Sequence, residues 1–214
     1  MSSKILLTLY GSKFSFIRSF VIKLINKFEG GEFYSTTLRD IFKKYYGVEI
    51  GMYSHGGCFK GHLFGRNTTF GRYCSVAQSA FGATLNHPMN KKSMHGFFFN
   101  PGLGYCKEER EYSTLIVGND VWFGHNSIIM PSVNTIGDGA VIGAGAVIFK
   151  DIPPYAVVVG NPGRVVRYRF SQETIDKLLA EKWWEKSIEE IKKNGLEEYS
   201  QIFEAEQGTA KEWS

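Results

Sequence analysis

The sequence predicts a mainly β protein, a parallel β-helix flanked by α-helical segments at both ends, and three observations carry that expectation. A motif restarts every six residues between Val117 and Lys150, the same code appears in weaker form from Cys58 to Phe81, and outside these tracts the apolar spacing changes to a helical period.

The strong tract reads VGNDVW, FGHNSI and IMPSVN, then one extra residue, Thr135, then IGDGAV, IGAGAV and IFKDIP. Its first place is always apolar: Val117, Phe123, Ile129, Ile136, Ile142 and Ile148. Its fifth is small or β-branched: Val121, Ser127, Val133, Ala140, Ala146 and Ile152. In a coil of stacked short strands the first residue fills the interior and the fifth stacks near it. The glycine common at the second place tolerates the backbone that a corner needs. The weaker tract, CFKGHL, FGRNTT, FGRYCS and VAQSAF, puts Cys58, Phe64, Phe70 and Val76 at the first place, and Thr68, Cys74 and Ala80 at the fifth. Residues 82–116 break the period. An interruption of that length is a loop thrown out of the coil, and long loops carry function more often than stability.

Before the coil, in residues 1–47, Phe14, Ile17, Val21, Leu24, Ile25 and Phe28 recur at helical spacing with Arg18, Lys23 and Lys27 interleaved, and Gly30 and Gly31 end that helix. A second short helix is expected from about Thr36 to Tyr46. A basic amphipathic helix can lie on a membrane surface, or its stripe can cover the open end of the coil. The cover is the expectation here, without membrane association. The coil itself is expected over 48–168. In 169–214, Ser171 is a candidate N-cap ahead of Ile175, Leu178 and Leu179, Trp183 and Trp184 follow, and Ile188 and Ile191 mark a further helix stopped by Gly195. The tail from about Gln207 is polar.

A length of 214 residues suits one domain with appended elements. The formal charge of +4 suits an anionic ligand but lacks the dense basic patch of a nucleic-acid binder. Three cysteines without paired spacing make neither a disulfide framework nor a zinc knuckle, and they fit a reducing compartment. With no apolar run near the roughly 18 residues of a membrane span and no clean secretory pattern, the expected location is cytoplasmic.

The segments FGRYCSVA, NHPM with GFFFNPGLGY, GNDVWFGHNSIIMP and IGAGAVIFKDIPPYAVVVGNPGRVVRYRF, with the closing tryptophan pair, resemble the hexapeptide acyltransferases. The branch is the xenobiotic acetyltransferases, which include chloramphenicol and streptogramin acetyltransferases and relatives thought to acetylate bacterial surface sugars. The resemblance covers about residues 48 to 185. It implies a left-handed parallel β-helix, a homotrimer, acetyl-CoA as donor, and a catalytic histidine on the interrupting loop, here His87. Thr135 and the His95-Gly96 pair, where relatives often carry Thr or His before Pro, depart from the family pattern.

Acetyl transfer from a thioester to a hydroxyl requires both partners to be held close and the alcohol proton to be removed as the bond forms. Imidazole suits that task. His87 is therefore assigned as general base, in a direct transfer without a covalent intermediate. A loop histidine helping a turn beside Pro88 is the other way to read it. Asn86 shapes the turn or touches the acceptor, and Glu108, Glu109 and Asp120 are candidates to orient the imidazole.

For the CoA arm, Ala144 and Gly145 lie at a corner free of side-chain bulk, and Trp122 offers an apolar wall or packs in the core or between subunits. His125, at an outward corner, corresponds in the resemblance to a contact with the arm. Lys150, Arg164 and Arg167 gather where the coil ends and suit phosphates, and the resemblance places CoA contacts at these three and at Ala144. Tyr53, His55 and Phe97 are candidate acceptor contacts. The acceptor is expected to be a sugar or surface-polysaccharide hydroxyl, with a chloramphenicol or streptogramin A hydroxyl as the alternative and the site between subunits. A β-helical zinc carbonic anhydrase needs paired coil histidines that His125 lacks, so no metal is expected. A non-catalytic scaffold is the remaining class.

Overall fold

The computed structural model describes residues 2–107, 111–197 and 199. Strands are short, because a hexad leaves room for only two or three extended residues before each corner. They are β1 (Val48–Ile50), β2 (His55–Gly56), β3 (Thr68–Phe70), β4 (Ser75–Val76), β5 (Phe81–Gly82), β6 (Leu115–Val117), β7 (Trp122–Phe123), β8 (Ile128–Ile129), β9 (Thr135–Ile136), β10 (Val141–Ile142), β11 (Val147–Ile148), β12 (Ala156–Val159) and β13 (Arg164–Tyr168). Parallel pairing builds three sheets, β1-β3-β6-β9, β2-β4-β7-β10-β12 and β5-β8-β11. From β3 to β11 the chain visits the three in turn, so each circuit stacks on the one before. β13 then folds back antiparallel on β12.

The interior follows the period. Every first- and fifth-place residue from Val117 to Ile152 is buried, and the second residue of each two-residue strand from β7 to β11 points inward. Phe64, Phe70 and Phe123 meet edge-on inside, with centroids 4.8 to 6.0 Å apart. Gly82 makes room for Phe64, since a Cβ there would lie 2.5 Å from its ring.

The first circuit departs from the sequence frame. The register places Gly56, not Cys58, beside Val76. Gly56 sits at φ 93°, and a Cβ on it would lie 2.0 Å from the Val76 carbonyl oxygen, so no side chain can fill the interior there. Cys58 fills it instead from a 3-10 turn, Gly57–Phe59, and burial pushes its thiol well up. His62 of the CFKGHL hexad is exposed.

Four helices cover the coil's first end: α1 (Ser3–Tyr10), α2 (Ser15–Phe28), α3 (Gly31–Tyr34) and α4 (Thr36–Ile41), the last continuing into a π-turn, Phe42–Tyr46. Leu6, Tyr10, Val21, Ile25, Leu38, Ile41 and Phe42 join one core with the coil. The Ser35 hydroxyl accepts from Leu38 N–H and caps α4. Buried Arg39 donates to the carbonyls of Glu32, Ser35 and Gly51, tying the helices to β1's end. The apolar stripe of α2 is only partly used. Val21 and Ile25 are fully buried, whereas Phe14 (63% exposed) and Phe28 (72%) lie at the helix ends beyond the coil. After β13 the chain forms α5 (Gln172–Glu181) and α6 (Ile188–Asn194), and the segment between them packs back on the coil against Arg72 and Tyr73. Ser171 caps the first, and a capping box of Ser187 and Glu190 starts the second. Tyr155, Ile175 and Trp184 make a small second core. The tail from Gln207 lies outside the described residues. Among those described, no helix is long and apolar enough to cross a membrane.

Candidate active site

The chain leaves the coil after Gly82 and re-enters at Leu115, and Ser113 N–H donating to Thr84 O at 2.8 Å closes the neck of the excursion. On it, the Asn86 side-chain oxygen accepts from His87 N–H at 2.9 Å, the turn-shaping role. His87 Nδ1 lies 2.8 Å from the Met94 carbonyl oxygen, and Phe99 sits edge-on against the ring at 4.8 Å. A carbonyl can only accept, so Nδ1 carries the hydrogen and Nε2 keeps its lone pair. The ring is exposed. Neighbouring His95 instead caps a 3-10 turn, Gly96–Phe98, accepting from Phe97 N–H, and its ring meets Phe97, which in turn meets Tyr105 at 4.7 Å.

The partner of His87 Nδ1 is thus a backbone carbonyl. Asp120 is committed elsewhere, in an ion pair with Arg169 at 2.9 Å, where burial pushes its carboxyl up against the pull of that guanidinium. Glu108 and Glu109 lie outside the described residues.

The second sheet carries an outward row, His55, Ser75, Trp122, Val141, Val157 and Arg167, paired in register across six strands. At about 4.8 Å per strand the row runs roughly 24 Å. Trp122 is 54% exposed, so it lies on the surface of the chain and not in the core. His55 lies tilted against Phe33 at 4.8 Å, with Nε2 3.4 Å from the Ser75 hydroxyl and a buried, unpartnered Nδ1. Tyr53, at φ 67°, stacks on Tyr73 and reaches Glu189 with its hydroxyl. The contacts of Tyr53 and His55 are with the N-terminal helices and α6, and do not bring them to the loop of the same chain.

At the corner that follows this sheet, consecutive circuits approach closely because Gly124 has no side chain: a Cβ would lie 2.5 Å from Ala144 N. Gly145 N–H donates to His125 O at 2.8 Å, so His125 and Ala144 stack in one exposed column. Ser79 extends it, with its hydroxyl 3.0 Å from His125 Nδ1 and accepting from Asn126 N–H. No sequence motif singles out Ser79, which stands one circuit before Asn126 in the coil's register. Arg164 and Arg167 stand exposed opposite Val159 and Val157 on β13. Gly163 N–H donates to Val147 O, which starts β13 beside β11, and exposed Lys150 lies just past β11's end. The three cations therefore share the last circuit.

A further cleft of about 390 Å³ opens at the loop's neck, lined by Tyr45, Tyr46, His62, Arg66, Thr84 and Leu85 among others. Thr84 is buried there with an unpartnered hydroxyl. Four separate segments of the chain build this cleft, so no local motif announces it. Among the described residues, no group of three or more His, Cys, Asp or Glu could hold a metal ion.

No family model matches the chain. A chloramphenicol acetyltransferase of Agrobacterium fabrum is 35% identical over 67% of this chain and 78% of its own length. One from Escherichia coli is 32% identical over 68% and 79%. A probable macrolide acetyltransferase of Lysinibacillus sphaericus is 37% identical over 60% and 75%. Among solved structures, a serine acetyltransferase from Neisseria gonorrhoeae superposes with a TM-score of 0.42 and 20% identity, over 82% of this chain and 56% of that one. The extent and identity of the shared sequence make this chain a member of the chloramphenicol acetyltransferase family, the xenobiotic acetyltransferases, and so an acetyltransferase of the hexapeptide-repeat class.

Proposed function

We propose that this protein transfers acetyl from acetyl-CoA to a hydroxyl of a small xenobiotic of the chloramphenicol type, with His87 as general base. The observation that carries the proposal is the hydrogen bond from His87 Nδ1–H to Met94 O, which leaves an exposed Nε2 able to accept a proton. Acetyl-CoA is the donor and supplies an already activated thioester. Nε2 takes the acceptor's hydroxyl proton as the ester bond forms, and the imidazolium then returns it to the departing thiolate. Throughout, Nδ1–H stays bonded to Met94 O, and the Phe99 edge keeps the ring from turning.

The remaining residues suit an anion with a long amide-bearing arm. The corner at His125 and Ala144 offers exposed backbone without bulk, Trp122 gives an apolar wall, and Lys150, Arg164 and Arg167 meet phosphates at the last circuit. Phe97 lines the acceptor side from the loop, with Asn86 holding the turn. Tyr53 and His55 reach an acceptor only from a neighbouring copy, which supports a homotrimer in which one loop meets the next coil. The coil is proposed to be left-handed, as hexapeptide acyltransferases are, and the protein cytoplasmic.

The expected sugar acceptor gives way to its alternative here, because the relatives that cover most of their own length with this chain are named for chloramphenicol and a macrolide. The test is consumption of acetyl-CoA with chloramphenicol, streptogramin A, a macrolide and surface-sugar precursors, with products identified by mass. Turnover of an antibiotic hydroxyl is expected. Turnover of the sugars alone overturns the acceptor class, and no turnover with any of them overturns the transfer itself.

A further inference from the structure

The capping helices leave one face that neither the core nor the acetyl-transfer site uses. Along α2, Phe16, Phe20, Lys23 and Lys27 fall on one side by helical spacing, away from buried Val21 and Ile25. Phe16 is 69% and Phe20 56% exposed, and Phe14 and Phe28 stand out at the two ends. A groove of about 620 Å³ runs among Phe16, Ile17, Ser19, Phe20 and Lys23.

Charge decides what covers this face. Residues 1–28 hold five cations, Lys4, Lys13, Arg18, Lys23 and Lys27, and no acid. Among the described residues, none of the five makes an ion pair with a carboxylate. The first acids that follow are turned inward. Glu29 accepts from the hydroxyls of Ser35 and Thr37, and Glu32 from Gly56 N–H. A second copy docking face to face would set like charges against each other. An anionic lipid surface answers both features, since its phosphates suit the lysines and its interface takes up phenylalanine rings.

We propose that this face docks on an anionic membrane surface, with Phe16 and Phe20 entering the interface and Lys23 and Lys27 pairing with lipid phosphates. The covering side of α2 carries Val21 and Ile25, and this face lies apart from it.

The test is flotation of the full chain with vesicles of phosphatidylcholine alone and of phosphatidylcholine mixed with phosphatidylglycerol. Binding to the mixed vesicles is expected, falling as salt is raised. Lys23→Gln with Lys27→Gln should weaken it by roughly fivefold per lysine removed. Phe16→Ser with Phe20→Ser should abolish binding while leaving the thermal transition unchanged, because all four side chains face outward. Equal binding to both vesicle types, or variants that bind like the parent, would overturn the proposal. A loss of self-association in the phenylalanine variant, without vesicle binding by the parent, would overturn it in favour of a second copy. No acetyl donor enters this assay, so its failure is distinct from failure of the transferase proposal.

Discussion

The coil and the loop that leaves it hold their shapes by different means. From Leu115 to Ile148 every strand is paired on a neighbouring circuit and every second residue of the two-residue strands is buried, so each part of the coil is fixed by parts distant in sequence. Between Gly82 and Leu115 the described contacts are mostly local: Asn86 to His87, His87 to Met94, His95 to Phe97, with Ser113 and Thr84 closing the neck. The coil is a rack built by repetition. The loop is a locally bonded excursion that holds Nδ1 of His87 on a carbonyl and leaves the ring exposed. Stability and chemistry should therefore be separable by substitution.

The largest effect is expected on the loop. His87→Ala should lower kcat by about 10²–10⁴, the range for loss of a general base, while the thermal midpoint stays near that of the parent because the ring is exposed. Near-parent turnover would remove the assignment. In the coil the division should reverse. Ile142 is fully buried, and Ile142→Ala should cost about 2–5 kcal/mol in denaturant unfolding while the folded fraction keeps its kcat. A large loss of kcat per folded molecule would mean that coil and loop are not separable.

That division also explains what was legible in the sequence. Repetition writes itself at fixed places, so the burial of Val117, Phe123, Ile129 and their successors could be read from spacing alone. The first circuit could not, because Gly56 leaves a space that Cys58 fills from a turn, and neither residue betrays the exchange. Helix α1 is too short to show a period. The Nδ1 partner of His87 has no signature in spacing, because it is a backbone carbonyl and every residue has one. For α2 the spacing shows the stripe but not which part of it meets the coil: Val21 and Ile25 do, and Phe14 and Phe28 stand exposed.

A smaller effect should fall on the donor side. Reversing charge with Lys150→Glu and Arg164→Glu should raise KM for acetyl-CoA about tenfold, on the scale of lost charged hydrogen bonds, and leave KM for the acceptor little changed. Equal changes in both would dissociate these cations from the donor.

The smallest effect concerns a corner of the coil. Burial pushes the Asp151 carboxyl up, but the N–H groups of Asn134 and Thr135 donate to it and hold it below its usual value. A depressed carboxylate contributes stability above its unfolded pKa of about 3.9, and that contribution is lost as pH falls through the lower folded value. Asp151→Asn should therefore lower stability at neutral pH slightly and flatten this part of the acid unfolding curve. An unchanged acid limb would show that the corner contributes nothing measurable.

The proposed chemistry turns on which nitrogen of His87 is bare. Nitrogen-15 NMR of the labelled protein, at a pH where the ring is neutral, should report a protonated Nδ1 and an unprotonated Nε2. A ring carrying its hydrogen on Nε2 would contradict the hydrogen bond to Met94 and leave the exposed nitrogen unable to take a proton.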